Sequence, residues 1–335
     1  MIHRLRTIDA HAAGEPLRLV IEGMPSPAGR TMLDKRDWAK KHIDHLRRAV
    51  MLEPRGHLDM YGAILTEPVS PDAHAGVLFM HNAGWSTMCG HGVIAVATIA
   101  LERELVWPGD SATLALDTPA GMVSARATLG ARRNGACRVS SVSFRNVPSF
   151  VVEAGVPVRL DARVMPVDIA FGGAFYAIVD SEAAGVPLEK EKLPELRKLG
   201  MRIKAEVERV RHVTHPLDDG LSGLYGTIFT GPAQHADAHL RNVTIFADAE
   251  VDRSPCGTGT AAVMAVLDEM GLFTEDVPFV HESLIGSTFT GRIVGRRRID
   301  DRPAIIPEIE GSAWITGEHT FLIDGDDPLK AGFRI

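Results

Sequence analysis

The sequence predicts an α+β chain made of two similar halves, each a set of short strands around one long apolar helix. Its 335 residues suit about two domains at roughly 100–200 residues each. A long-range echo divides the chain. Phe79 lies ten residues before Cys89, and Phe246 ten residues before Cys256. Each stretch runs from an apolar strand through a polar loop to Cys-Gly-[His/Thr]-Gly and then an apolar helix, and the two cysteines stand half a chain length apart. The 32 glycines and 20 prolines favour turns and strands over a helical bundle.

The elements follow from periodicity. Ile94, Ala97, Thr98 and Leu101 recur at helical spacing, as do Val263, Val266, Leu267 and Met270, and predict one buried stripe on each central helix. Gly271 suits a left-handed cap directly after the second helix. Short apolar or alternating runs bounded by Gly, Pro, Asn or Asp predict strands at Val77–Met80, Thr113–Leu116, Val139–Phe144, Phe175–Val179, Gly226–Thr230 and Asn242–Phe246. The Lys- and Glu-rich stretch Leu188–Met201 predicts a surface helix, and a linker is expected over Asn146–Gly155.

Composition excludes several function classes. A formal charge of −7 argues against nucleic-acid binding, which needs a clustered cationic surplus. The basic run Gly295–Ile299 is followed at once by Asp300 and Asp301, and is expected to be a solvated turn. No apolar stretch approaches the roughly 20 residues that cross a bilayer, and no signal peptide is visible, so a cytoplasmic chain without membrane contact is expected. Three cysteines make no disulfide framework there and are expected to be reduced thiols. Cys137 lacks a glycine loop or a helix start, so a structural role is expected. No metal site is expected, because Cys89 and His91 lack a second close cysteine, and His235 and His239 lack the Glu of a metalloprotease motif.

The two Cys-Gly-x-Gly loops carry the chemistry. A cysteine just before a helix faces unpaired N–H groups and the positive end of the helix dipole, which favour thiolate and lower the thiol pKa. The glycines let a small anion such as a carboxylate approach the backbone. Two such loops facing one substrate would place a thiol on each face of its α-carbon. One thiolate then removes the α-proton while the opposite thiol returns a proton, with no metal or organic cofactor required.

Met88–Gly92 and Asp252–Thr260 resemble the two signature segments of the proline racemase family, which includes proline racemase, 4-hydroxyproline 2-epimerase and trans-3-hydroxy-L-proline dehydratase. Asp9–Pro16, Glu53–His57, Asp59–Gly62 and Gly172–Ala177 extend the resemblance over most of the chain. The resemblance implies a diaminopimelate epimerase-like fold: two pseudo-symmetric halves, each a curved sheet around a central helix, with the active site in the cleft between them. It divides the chain into residues 1–150, to which 317–335 return, and residues 151–316. By motif it makes Cys89 and Cys256 the acid/base pair. It gives the carboxylate to the backbone N–H groups of Gly90, His91, Gly257 and Thr258, and the ring nitrogen to the side chains of His91 and Asp252. His11 and His57 either hydrogen-bond a turn or line the cleft, Asp252 alternatively caps its own loop, and Phe175 and Tyr176 read equally as core.

The expected partner is thus a small molecule, proline or hydroxyproline; a homodimer is one option for the assembly. A cysteine at the second position favours racemisation or epimerisation, since the resembling dehydratases typically carry threonine there. The wording around Cys89 looks closer to the dehydratase and proline-racemase branches, which keeps dehydration of trans-3-hydroxyproline, alone or beside inversion, as the first alternative. A one-thiol hydrolase, a diaminopimelate epimerase and a non-catalytic imino-acid binder are the remaining readings.

Overall fold

The computed structural model describes residues 2–131, 137–273 and 277–335. The chain divides into two compact units, Met1–Phe144 with Ser312–Ile335, and Arg145–Gly311. The expected two α+β halves are present.

In the first unit, β1 (Ile2–Ala12) and β2 (Glu15–Glu22) form a hairpin and lead into helices α1 (Met32–His42) and α2 (Asp44–Met51). The chain continues through β3 (Tyr61–Thr66), β4 (Ala75–His81), α3 (Gly90–Glu102), β5 (Thr113–Thr118), β6 (Gly121–Leu129) and β7 (Val139–Arg145). The strand Ala313–Asp324, labelled β17 from its place in the chain, pairs antiparallel along the whole of β1. Neighbouring strands from β17 through β1, β2, β3, β4 and β5 to β6 run antiparallel, antiparallel, parallel, antiparallel, parallel and antiparallel.

The second unit holds β8 (Phe150–Leu160), β9 (Arg163–Phe171), β10 (Phe175–Asp180), the one-turn α4 (Ser181–Ala184), α5 (Leu193–Val210), β11 (Leu224–Gly231) and β12 (Leu240–Phe246). After these come β13 (Glu250–Asp252), α6 (Gly257–Glu269), β14 (Phe279–Glu282), β15 (Thr288–Ile299) and β16 (Arg302–Gly311). From β8 through β9, β10, β11, β12 and β14 to β15 the same six senses recur in the same order. The echo between the two cysteine segments therefore extends to the topology of each unit.

The central helices are not striped. Every residue of α3 from Gly90 to Ala100 is buried, as is every residue of α6 from Gly257 to Val266. Each helix is sheathed by its own sheet: α3 packs on β1, β2, β3, β6 and β17, and α6 on β8, β9, β10, β15 and β16. A helix wrapped on all sides must be apolar all round, which conceals any single face in the pattern. Thr98, the polar residue inside α3, donates to the Ile94 carbonyl at 2.8 Å and so needs no outside partner. Gly271 does take the left-handed cap position, at φ +69.

All six predicted strands are present. The predicted surface helix starts later and runs further, over Leu193–Val210, because Pro194 fits only in a first helical turn. The basic run is a correction: Arg296, Arg297 and Arg298 lie within β15, paired with Ile305, Ala304 and Pro303, and the turn falls on Asp300, at φ +54, and Asp301. Strand pairing takes the backbone there while Arg296 meets Asp268 at 2.8 Å.

One buried ion pair ties the α2 end to the first sheet. Arg18 on β2 donates to the Asp9 carboxylate at 2.8–3.1 Å and to the carbonyls of Val50 and Arg55 at 2.7 and 2.5 Å. Removing one member leaves a buried carboxylate and two carbonyls without their cation. Arg18→Met is expected to lower stability by about 3 kcal/mol, read from urea unfolding midpoints. A loss below about 1 kcal/mol would show that the guanidinium is dispensable.

Candidate active site

Each unit presents one thiol at the N-cap of its central helix. Cys89 caps α3 and Cys256 caps α6. Both sulfurs accept a hydrogen bond from the backbone N–H three residues on, Gly92 to Cys89 at 3.2 Å and Gly259 to Cys256 at 3.3 Å. The last glycine of each motif is explained by the sulfur itself: a Cβ on Gly92 or Gly259 would stand 2.9 Å from it. Phe79 also crowds Gly92, and Ile228 crowds Gly259. Gly92 and Gly259 thus make room for the sulfur of their own loop.

The surroundings of the two sulfurs differ. Cys89 has relaxed extended backbone, φ −149. Its neighbour is His91, with Nδ1 at 3.3 Å, and the Tyr61 ring lies edge-on to that imidazole at 4.8 Å. Cys256 sits at φ +60, in the left-handed region that a side-chain-bearing residue adopts at a cost of about 1–3 kcal/mol. Bonds on both sides hold it there. Its N–H donates to Ser254 Oγ at 3.1 Å, and Ser254 Oγ and N donate to Asp252 Oδ1 at 2.7 and 2.8 Å. The Pro255 carbonyl accepts from Thr260 Oγ1 and Asn242 Nδ2, both at 3.0 Å, and the Cys256 carbonyl accepts from Thr260 N at 2.7 Å. His281 Nδ1 backs Thr260 Oγ1 at 2.9 Å. Burial depresses the His281 pKa to about 3, so this ring is neutral at physiological pH.

Electrostatics also separate the Cys256 loop from the simple expectation. Burial pushes the Cys256 thiol well above its ordinary range, and the Asp252 carboxyl adds to the rise. The N–H of Gly259 and the hydroxyls of Tyr176 and Thr258 pull the other way. At Cys256 the cost of burying a thiolate exceeds what the helix N-terminus returns, which corrects the expectation of a lowered thiol pKa. Asp252, wholly enclosed, rises from 3.8 to about 6, chiefly through burial.

Gly90 and His91 occupy the first turn of α3, and Gly257 and Thr258 that of α6, where N–H groups point out along the helix axis. His91, Asp252 and Thr258 are buried. Asp252 does cap its own loop, through Ser254. His11 Nδ1 accepts from Gly14 N at 3.3 Å across the β1–β2 turn, and the exposed His57 bonds the carbonyl of the adjacent Leu58. Cys137 is partly buried, whereas Cys89 and Cys256 are buried.

Three features escaped the sequence reading. Tyr176 is buried core, as one expectation had it, but its phenol oxygen also reaches Cys256 Sγ at 3.7 Å and Thr258 Oγ1 at 2.7 Å. Gly172 abuts the first turn of α6, where an added Cβ would lie 2.1 Å from the Thr258 carbonyl oxygen. The Asn242–Thr260–His281 cluster is spread over three elements and has no local pattern by which sequence could reveal it. Among the described residues no group of acidic, His and Cys side chains could hold a metal ion, and no helix is long and apolar enough to cross a membrane.

Comparison with known proteins places these features in a family. The family model described as proline racemase matches residues 7–334. A trans-3-hydroxy-L-proline dehydratase of Bacillus thuringiensis is 48% identical, over 98% of this chain and 97% of its own. A proline racemase of Clostridioides difficile is 38% identical over 98% and 97%. Among solved structures, a hydroxyproline epimerase from Agrobacterium vitis with bound trans-4-hydroxy-L-proline superposes with a TM-score of 0.90 at 31% identity, covering 99% of this chain and 96% of that one.

Asp252 gives a pH signature. Its folded pKa lies above the ordinary value, so the folded chain holds this proton more tightly than the unfolded one. The resulting stability is complete below about 4 and disappears as pH rises through about 6. Asp252→Asn keeps an acceptor for Ser254 and does not titrate. Between pH 4 and 7 the wild type is expected to lose about 2 kcal/mol relative to this variant in urea unfolding. Parallel pH curves would remove the raised carboxyl.

Proposed function

The chain belongs to the proline racemase family, and on that premise we propose that it inverts the α-carbon of proline or 4-hydroxyproline with Cys89 and Cys256 as paired base and acid. The observation that supports this most directly is the matched pair of sulfur-capped helices, one per unit, each thiol bonded by the N–H three residues on. A binder or a one-thiol hydrolase would give no reason for capping a buried helix with a thiol twice.

In the forward direction the Cys89 thiolate takes the α-proton, and the electron pair left on carbon delocalises into the substrate carboxylate. The Cys256 thiol, held protonated by burial, gives its proton to the opposite face. The enzyme is left with a Cys89 thiol and a Cys256 thiolate, and the reverse reaction begins from that state. First-turn N–H groups of Gly90, His91, Gly257 and Thr258 hold the carboxylate and stabilise the charge that develops on it. His91 and Asp252 contact the ring nitrogen; an ionised Asp252 favours the protonated imino group beside the carbanion.

Dehydration of trans-3-hydroxy-L-proline is the second reading, favoured by the 48% identity to a protein of that name. The same base would remove the α-proton and, now a thiol, give that proton to the departing 3-hydroxyl, which in the trans isomer lies on the same ring face, leaving water and an enamine that tautomerises to the ketimine.

Incubation in D₂O with each proline and hydroxyproline isomer separates the two. Inversion puts deuterium at the α-carbon of the opposite enantiomer or epimer. A ketimine from 3-hydroxyproline as the sole product would replace the first reading by the second. Cys256→Ser is expected to cut inversion by at least about a hundredfold, the scale of losing a positioned acid/base group, while exchange from the other face can persist. Undiminished inversion in that variant would take Cys256 out of the mechanism.

A further inference from the structure

We propose that the hydroxyls of Tyr176 and Thr258 form a donor pair that sets the protonation of Cys256, which makes Tyr176 a positioning residue for the acid/base chemistry. The proposal rests on the two-thiol reading above and adds a residue to it.

The geometry is a triangle. The phenol oxygen of Tyr176 on β10 is 2.7 Å from Thr258 Oγ1, and the two oxygens lie 3.7 and 3.8 Å from Cys256 Sγ. The Tyr176 side chain is fully enclosed, and Thr258 is buried. Among the described residues these hydroxyls have no polar partners besides each other and the sulfur. Two hydroxyls carry two protons, and the bond between them uses one. The remaining proton is left to face the sulfur.

A thiolate accepts that proton, while a thiol turns its own S–H to an oxygen lone pair. Both states of Cys256 are therefore satisfied by rotating two hydroxyl hydrogens, with no heavy atom moved. Donation to a charged acceptor in an enclosed site is worth roughly twice an ordinary bond, so it favours the thiolate. It opposes burial and the Asp252 carboxyl, which favour the thiol. The phenol keeps its own proton, since burial and then the nearby sulfur hold Tyr176 well above its usual pKa. The other titratable groups facing this cluster are Tyr225, edge-on to Tyr176 at 5.8 Å, and Asp252, reached through Ser254.

Cys89 is served differently. Its neighbour two residues on is His91, and Tyr61 meets that imidazole with a ring edge. The hydroxyl pair thus tunes one thiol of the two.

The test reads the sulfur directly. Methyl methanethiosulfonate reacts with thiolate, so below the thiol pKa its rate on each cysteine, resolved by peptide mass spectrometry at pH 8, follows the thiolate fraction. Three proteins are compared: wild type, Tyr176→Phe, and wild type grown with 3-fluorotyrosine, whose phenol is a stronger donor of nearly the same shape. Cys256 is expected to react about tenfold more slowly in Tyr176→Phe, the scale of one bond to a charged group, and faster than wild type in the fluorinated protein. Cys89 is expected to keep one rate between wild type and Tyr176→Phe. Fluorotyrosine at positions 61 and 225 in the Tyr176→Phe background serves as the control and should not accelerate Cys256. A Cys256 rate indifferent to phenol acidity, including no reaction in any protein, overturns the proposal. Turnover of the imino acids is assayed in parallel: its absence removes the two-thiol reading, while the labelling rates judge the phenol independently.

Discussion

A backbone N–H bonded to a sulfur one turn into a buried helix is the constraint on which each half of this chain is built. The bond fixes the cysteine as N-cap, demands glycine three residues later, and aims the first-turn N–H groups and the thiol the same way. A helix that presents its N-terminus from the middle of a unit must be enclosed on every side. That is why α3 and α6 are apolar around their whole circumference, and why so much of each sheet exists to cover them.

The same device is set under different conditions in the two units. Cys89 rests in relaxed backbone beside an imidazole, whereas Cys256 is held at positive φ by bonds to the peptide groups on both sides. Asp252, Ser254, Thr260 and Asn242 supply that restraint, and His281 stays neutral behind them. On the two-thiol reading proposed above, one thiol and one thiolate alternate, and burial favours the protonated form at Cys256.

The candidate site was legible in the sequence because its parts are local. Cys-Gly-x-Gly followed by an apolar run fixes sulfur, glycines and helix start within a few residues, and the half-chain echo announces that there are two. The strands were legible for the same reason: short apolar runs with turn residues at their ends. Other features were hidden by distance or disguise. On α1 the buried face includes Lys35 and Arg36, whose charged ends reach out to the Glu67 backbone carbonyl and the Asp37 carboxylate, so no apolar stripe marks it. Tyr176 reads as strand core until folding brings its hydroxyl to a residue 80 positions away. The lowered thiol pKa expected for a helix N-terminus failed at Cys256 because burial depth is not written in a motif.

The matching strand orders carry one more consequence. The place that β8 occupies beside β9 in the second unit is taken in the first by β17, lying against β1. The outermost partner of the opening strand is thus drawn from more than three hundred residues downstream. On the ribosome, the second unit has all its strands in hand before the first can complete its sheet. The N-terminal half must therefore wait, its β1 edge uncovered, until nearly the last of this sequence emerges, which makes that interval the one in which a nascent chain most needs protection from pairing with its neighbours.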